Sequence, residues 1–128
     1  MASNNAYGPQ AVTEGLVLCL DANNAKSYAG GGTTWRDLST KGNHATLVHA
    51  PVFGTDSATS GSYFDFDGTN DYATISNTAT SGLRIANPGS ATTGIWVRVE
   101  DASDLNGLMG PWSGTGAAGW GALANYGG

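Results

Sequence analysis

The densest group of side-chain oxygens in the chain lies in the run Asp65-Phe66-Asp67-Gly68-Thr69-Asn70-Asp71. Asp65, Asp67, Asn70 and Asp71 are donors of the kind Ca²⁺ takes, a hard cation that gathers roughly six to eight oxygens. Their D-x-D-x-x-N-D spacing is not that of an EF-hand. The same residues are what a tight turn needs, because Asp and Asn side chains accept from nearby backbone amides. The turn reading is preferred and calcium is the alternative, so neither a metal site nor a cofactor is assigned. His44 and His49 flank a short strand and are expected to face opposite sides, which does not suit a zinc pair. Cys19 is the single cysteine, so an intrachain disulfide is excluded. It sits in Leu16-Val17-Leu18-Cys19-Leu20 and reads as a small buried side chain. Nothing nearby would depress its pKa, so it is not expected to be a nucleophile. Gly30-Gly31-Gly32 is followed by neither Lys-Ser/Thr nor a helical pattern, which excludes a P-loop. Trp35, Trp96, Trp112 and Trp120, with Tyr28 and Tyr126, could stack on sugar rings. Aromatic residues of a small β domain more often form its core. Trp112 and Trp120 flank a Gly-rich loop and are the favoured platforms, but no carbohydrate-binding residue is assigned.

Positioning these groups falls to short strands. Tyr63-Phe64-Asp65-Phe66 alternates apolar and polar residues, and Tyr72-Ala73-Thr74-Ile75 resumes the pattern after the Asp67–Asp71 turn. Two such runs around a short Gly-containing loop predict a β-hairpin over Ser62–Ile75, with Phe64 and Phe66 in the core and Asp65 outward. Glu14–Leu20 reads as a strand apolar on both faces and therefore covered on both sides. Asp21–Asn24 is a turn and Ser27–Thr34 a loop. Trp35 and Leu38, three apart, suit one helical turn or a compact loop. Gly42-Asn43 is a turn signal. Ala45–Val48 and Val52-Phe53 are short strands, and Thr55–Gly61 a polar loop. Further along, Leu83–Ile85 is a brief strand or turn. Thr92–Glu100 is a strong strand, with Ile95, Val97 and Val99 on one face and Trp96 on the other. Gly107–Trp112 and Gly119–Asn125 are two more. Strands about ten residues apart, with turn signals between them, predict an all-β antiparallel sandwich.

Composition agrees. A chain of 128 residues with a 40% hydrophobic share suits one domain with a real core. Only 12% of residues are charged, against about a quarter in typical domains. The net charge of −5, with the basic residues scattered, argues against nucleic acid as a partner. No apolar run approaches the ~20 residues of a membrane span, so membrane insertion is not expected. The first residues lack the basic and apolar regions of a signal peptide. Residues 1–13 read as a polar N-terminal arm.

Three stretches together carry a resemblance. GLVLCLDA, TTWRDLSTKGNHATLV and YFDFDGTNDYATI, in that order over Gly15–Ile75, resemble the front half of a laminin-G-like domain. That is the concanavalin A-like lectin/glucanase jelly roll. The later TGIWVRVED resembles the family's next strand. The resemblance implies a jelly-roll domain over residues 14–128 that is truncated at its C-terminal end, since the family continues with further strands. Family members often bind calcium. Its glucanases place paired carboxylates in an E-x-D-x-x-E pattern, which neither Glu14 nor Glu100 begins, and retaining hydrolysis needs two neighbouring carboxyls. No catalytic residue is assigned and the chain is not expected to be an enzyme. Such domains look common in phage structural proteins, where they stand alone, so the resemblance implies a virion structural protein, a capsid decoration or tail-fibre component. Its partners would be other virion proteins, copies of itself, or host-surface glycans. The family equally implies a carbohydrate-binding module of a larger secreted, extracellular protein.

Overall fold

A computed structural model describes residues 13–76, 83, 90 and 92–98. The chain divides into two compact units, Met1–Ala91 and Thr92–Gly128, each taken by itself below. The described residues are all-β, with two antiparallel sheets and no helix, an arrangement consistent with a β-sandwich.

The first sheet has the order β1-β2-β5, from Thr34–Trp35, Ala45–Val48 and Tyr72–Ile75. Its register explains its composition. Trp35, Ala45 and Ile75 line up as one row, and Thr34, Thr46 and Thr74 as the next. Strand side chains alternate, so the first row turns to the core and the threonines turn outward. Ala45 and Leu47 are buried accordingly, and Thr46 between them is exposed.

The second sheet is a hairpin of β3 (Val52–Asp56) and β4 (Gly61–Asp65). Its turn is fastened by Asp56 Oδ1, which accepts from the Ala58 amide at 2.8 Å. Phe53 and Phe64 pair across it and face inward. Phe64 is the hub of an aromatic core: its ring centroid lies 4.7 Å from Trp35, 4.8 Å from Tyr28 and 5.5 Å from Phe53. Tilted and edge-on rings at these separations are the favoured aromatic geometry. Phe64 thus ties the hairpin to β1 of the other sheet.

Several expectations change. The strands on either side of Asp67–Asp71 exist, but they do not form a hairpin with each other. β4 pairs with β3, and β5 with β2, so the loop carries the chain from one sheet to the other. Alternation told which way each side chain points, not which strand lies alongside. Phe66 lies past the end of β4 and is 41% exposed, so only Phe64 of the pair serves as core. Leu16–Leu20 belongs to no ladder and is half-buried, because its backbone bonds to the 37–43 loop instead. Trp35 lies in a strand, not a helical turn. The loop expected over Thr55–Gly61 is shorter, since β3 runs to Asp56 and β4 starts at Gly61.

In the second unit, residues 92–98 carry no strand. Ile95, Trp96 and Val97 are all exposed, so neither alternating face is a buried one. The apolar alternation is real, but a strand needs a ladder as well as a pattern. The strands expected at 107–112 and 119–125, and the N-terminal arm up to residue 12, lie outside the described residues.

Candidate functional site

The buried carboxylate of Asp37 organises the loop that follows β1. Oδ1 accepts from the amides of Cys19 at 2.8 Å and Ser39 at 2.9 Å. Oδ2 accepts from the Asn43 amide at 2.9 Å and the Ser39 hydroxyl at 2.5 Å. Asn43 in turn donates from Nδ2 to the Val17 carbonyl at 2.7 Å. The Asp37 amide donates to His44 Nδ1 at 3.1 Å, which leaves Nε2 of that ring as the protonated nitrogen in the neutral form. Burial works against the ionised carboxyl of Asp37. The Ser39 hydroxyl and the Cys19, Ser39 and Asn43 amides outweigh burial and hold its pKa below the ordinary value. Burial pushes the Cys19 thiol up, and the charges of Asp21 and Asp37 push it further, the reverse of what a thiolate nucleophile requires.

The loop between β4 and β5 repeats the device. Asp67 Oδ1 accepts from the amides of Thr69 at 2.8 Å, Asn70 at 3.1 Å and Asp71 at 3.3 Å. Gly68 takes φ 70°, the left-handed conformation glycine adopts freely. The Thr69 and Asn70 amides lower the Asp67 pKa, helped by the Asp71 amide and the nearby charge of His49. Asp71 Oδ2 accepts from the Asp67 amide at 3.3 Å. Of the four residues weighed for calcium, Asp67 and Asp71 accept backbone amides of the turn itself. Among the described residues no three His, Cys, Asp or Glu side chains come together as a metal site. His44 and His49 part company: His44 binds the Asp37 amide, while the exposed His49 ring lies 6.0 Å from that of Tyr72. Glu14 is exposed in a turn, and Glu100 lies outside the described residues.

The aromatic candidates separate by burial. Tyr28 is core, and its hydroxyl donates to the Gly32 carbonyl at 2.8 Å, so it is no sugar platform. Trp35 is half-buried against Phe64, with its indole N–H buried and without a partner. Trp96 is exposed. Trp112, Trp120 and Tyr126 lie outside the described residues. Gly31 and Gly32 border an open depression of about 260 Å³, where Ser27 and Arg36 also contribute. The Ser27 hydroxyl there already donates to the Arg36 carbonyl at 2.5 Å.

Sequence reasoning passed over Tyr63. It is 49% exposed on the outer face of β4, directly opposite Gly54. The signal was its outward place in the alternation, next to the inward Phe64, and a glycine within the facing segment. Comparison with family models, curated proteins and solved structures finds no match.

Proposed function

We propose that this chain is a non-enzymatic structural protein of a virion surface, a capsid decoration or tail-fibre component, built on a laminin-G-like, concanavalin A-like jelly roll. The observation that carries this reading is the use of its acidic side chains. Asp37 takes four hydrogen bonds and Asp67 three, all from their own framework, which suits a rigid scaffold. Other virion proteins or further copies of the chain are the partners. Val52, Phe66 and Tyr72, which are 64%, 41% and 50% exposed, offer apolar contact to them. Mass and sedimentation analysis of the native source tests this. A fixed number of copies in a large symmetric particle supports it. A folded monomer at high concentration that copurifies with no particle overturns it. The second reading is a carbohydrate-binding module of a larger extracellular protein, and the exposed ring of Tyr63 favours it.

A further inference from the structure

The β3–β4 hairpin has an outer face as well as the inner one that carries Phe53 and Phe64. Val52, Gly54 and Asp56 share that outer face with Gly61, Tyr63 and Asp65. Tyr63 sits opposite Gly54, Asp65 opposite Val52, and Asp56 opposite Gly61. A Cβ on Gly54 would lie 2.6 Å from Tyr63 Cζ, 2.8 Å from its Oη and 2.9 Å from Cε2. A nearest atom with two of its three bonded neighbours only slightly farther away marks a point close to the ring normal at that atom. The phenol therefore lies face-down on Gly54, in space that a larger residue would take from it. An aromatic ring laid over a glycine stabilises a sheet, which accounts for its inner face. It does not account for the outer one, a flat apolar surface with a hydroxyl at its edge.

The neighbours define a ligand. Asp65 is two residues along the same strand, and Asp56 is diagonal across the pair, so exposed carboxylates stand on both flanks of the ring. Asp56 also accepts from the Ala58 amide. Carboxylate oxygens accept strong hydrogen bonds from hydroxyls. A pyranose with equatorial hydroxyls presents C–H bonds on its face and hydroxyls around its rim, the complement of this surface. The two carboxylates also disfavour an acidic sugar, or the same face of another copy, through like-charge repulsion.

We propose that the outer face of Tyr63 binds one neutral hexopyranose unit of a saccharide, with Asp65 accepting hydrogen bonds from its hydroxyls. This deepens the carbohydrate-binding reading and does not need the virion one. A platform open on one side binds weakly, with a Kd on the order of a millimolar.

The test is titration of the full chain with gluco-, galacto- and chito-oligosaccharides and with a polyuronate, followed by NMR of the tyrosine rings. The expected result is that a neutral oligosaccharide shifts the Tyr63 ring signals. Tyr63→Ala then weakens binding at least about tenfold, Tyr63→Phe keeps it within about twofold, and Asp65→Asn weakens it severalfold. Because Tyr63→Ala also uncovers Gly54, the Phe and Asn variants report on the site with the hairpin intact. Saccharide binding unaffected by all three variants overturns this site and leaves the carbohydrate reading standing. Binding of none of the saccharides overturns both. Tighter binding of the polyuronate overturns the role given to the carboxylates.

Discussion

Replacing Asp37 by Asn keeps the side chain's shape and removes its charge. An amide oxygen in the place of Oδ1 still accepts from Cys19 and Ser39. The amide nitrogen then stands where Oδ2 was, facing the Ser39 hydroxyl and the Asn43 amide. The hydroxyl can rotate and accept. The Asn43 amide cannot, so a buried donor is left facing a donor, at a cost of about 1–3 kcal/mol. The two retained bonds fall from charged to neutral strength, losing roughly another 1 kcal/mol together. The expected loss is about 2–4 kcal/mol, a large part of the ~5–15 kcal/mol that holds a typical domain. That corresponds to a fall in Tm of roughly 10 °C for a chain of this size. Urea unfolding followed by circular dichroism measures it.

The pH dependence supplies a second check. The folded pKa of Asp37 is depressed, while the unfolded value is about 3.9. Its contribution is fully present above the unfolded value and is lost as pH falls from there through the folded pKa. The gap between wild type and Asp37→Asn should be constant near neutrality and shrink in that acid window. A variant within about 0.5 kcal/mol of wild type at neutral pH, or a gap that widens in acid, refutes the reasoning.

Three further outcomes are expected. His49 and Ala50, both at φ 64°, sit in the left-handed region on the turn between β2 and β3. Ala50→Gly relieves about 1–2 kcal/mol of strain and gives back part of it as chain entropy, for a net gain of about 0.5–1 kcal/mol in thermal unfolding; a loss of stability would show that the turn is not strained. Phe64→Ala removes the hub of the aromatic core and should cost about 2–3 kcal/mol, below the usual range for a fully buried Phe because the ring is half-buried; near-neutral behaviour in a denaturant titration would dismiss the hub. Asp67→Ala should speed amide hydrogen exchange at Thr69 and Asn70 while leaving the midpoint of global unfolding almost unchanged. Unaltered exchange at those two amides would mean the carboxylate does not hold the turn.

What the sequence made legible was local. Period-two alternation found β4 and β5, β2 read as a short strand beyond the Gly42-Asn43 turn signal, and turn chemistry found the Asp67–Asp71 loop. The partners of β4 and β5 were not legible, because alternation is satisfied by any neighbour that covers the same face. β3 was half hidden, since Gly54-Thr55-Asp56 reads as loop by composition; Gly54 is there because the ring of Tyr63 occupies its side-chain space. Leu16–Leu20 has the apolar content of a strand, and what distinguishes it is where its backbone groups go. Cys19 bonds Asp37 and Val17 bonds Asn43, partners 18 and 26 residues away that no local pattern reveals.

The same logic explains why the acidic residues looked like a site. Among the described residues, Asp21, Asp37, Asp56 and Asp67 each accept from the backbone amide two residues on, as Asn24 does. This is one local device used repeatedly in a chain with many loops and few charges. A carboxylate committed to two or more amides is held in place, but it has little left to offer a cation or a reacting group. Residue type cannot reveal that commitment, which depends on whether the chain folds back over the side chain. Asp65 differs. It stands exposed on the outer face of β4, opposite Val52 and two residues from Tyr63. Its place beside the upturned ring of Tyr63 is therefore the better guide to binding than the crowded acidic loop that follows it.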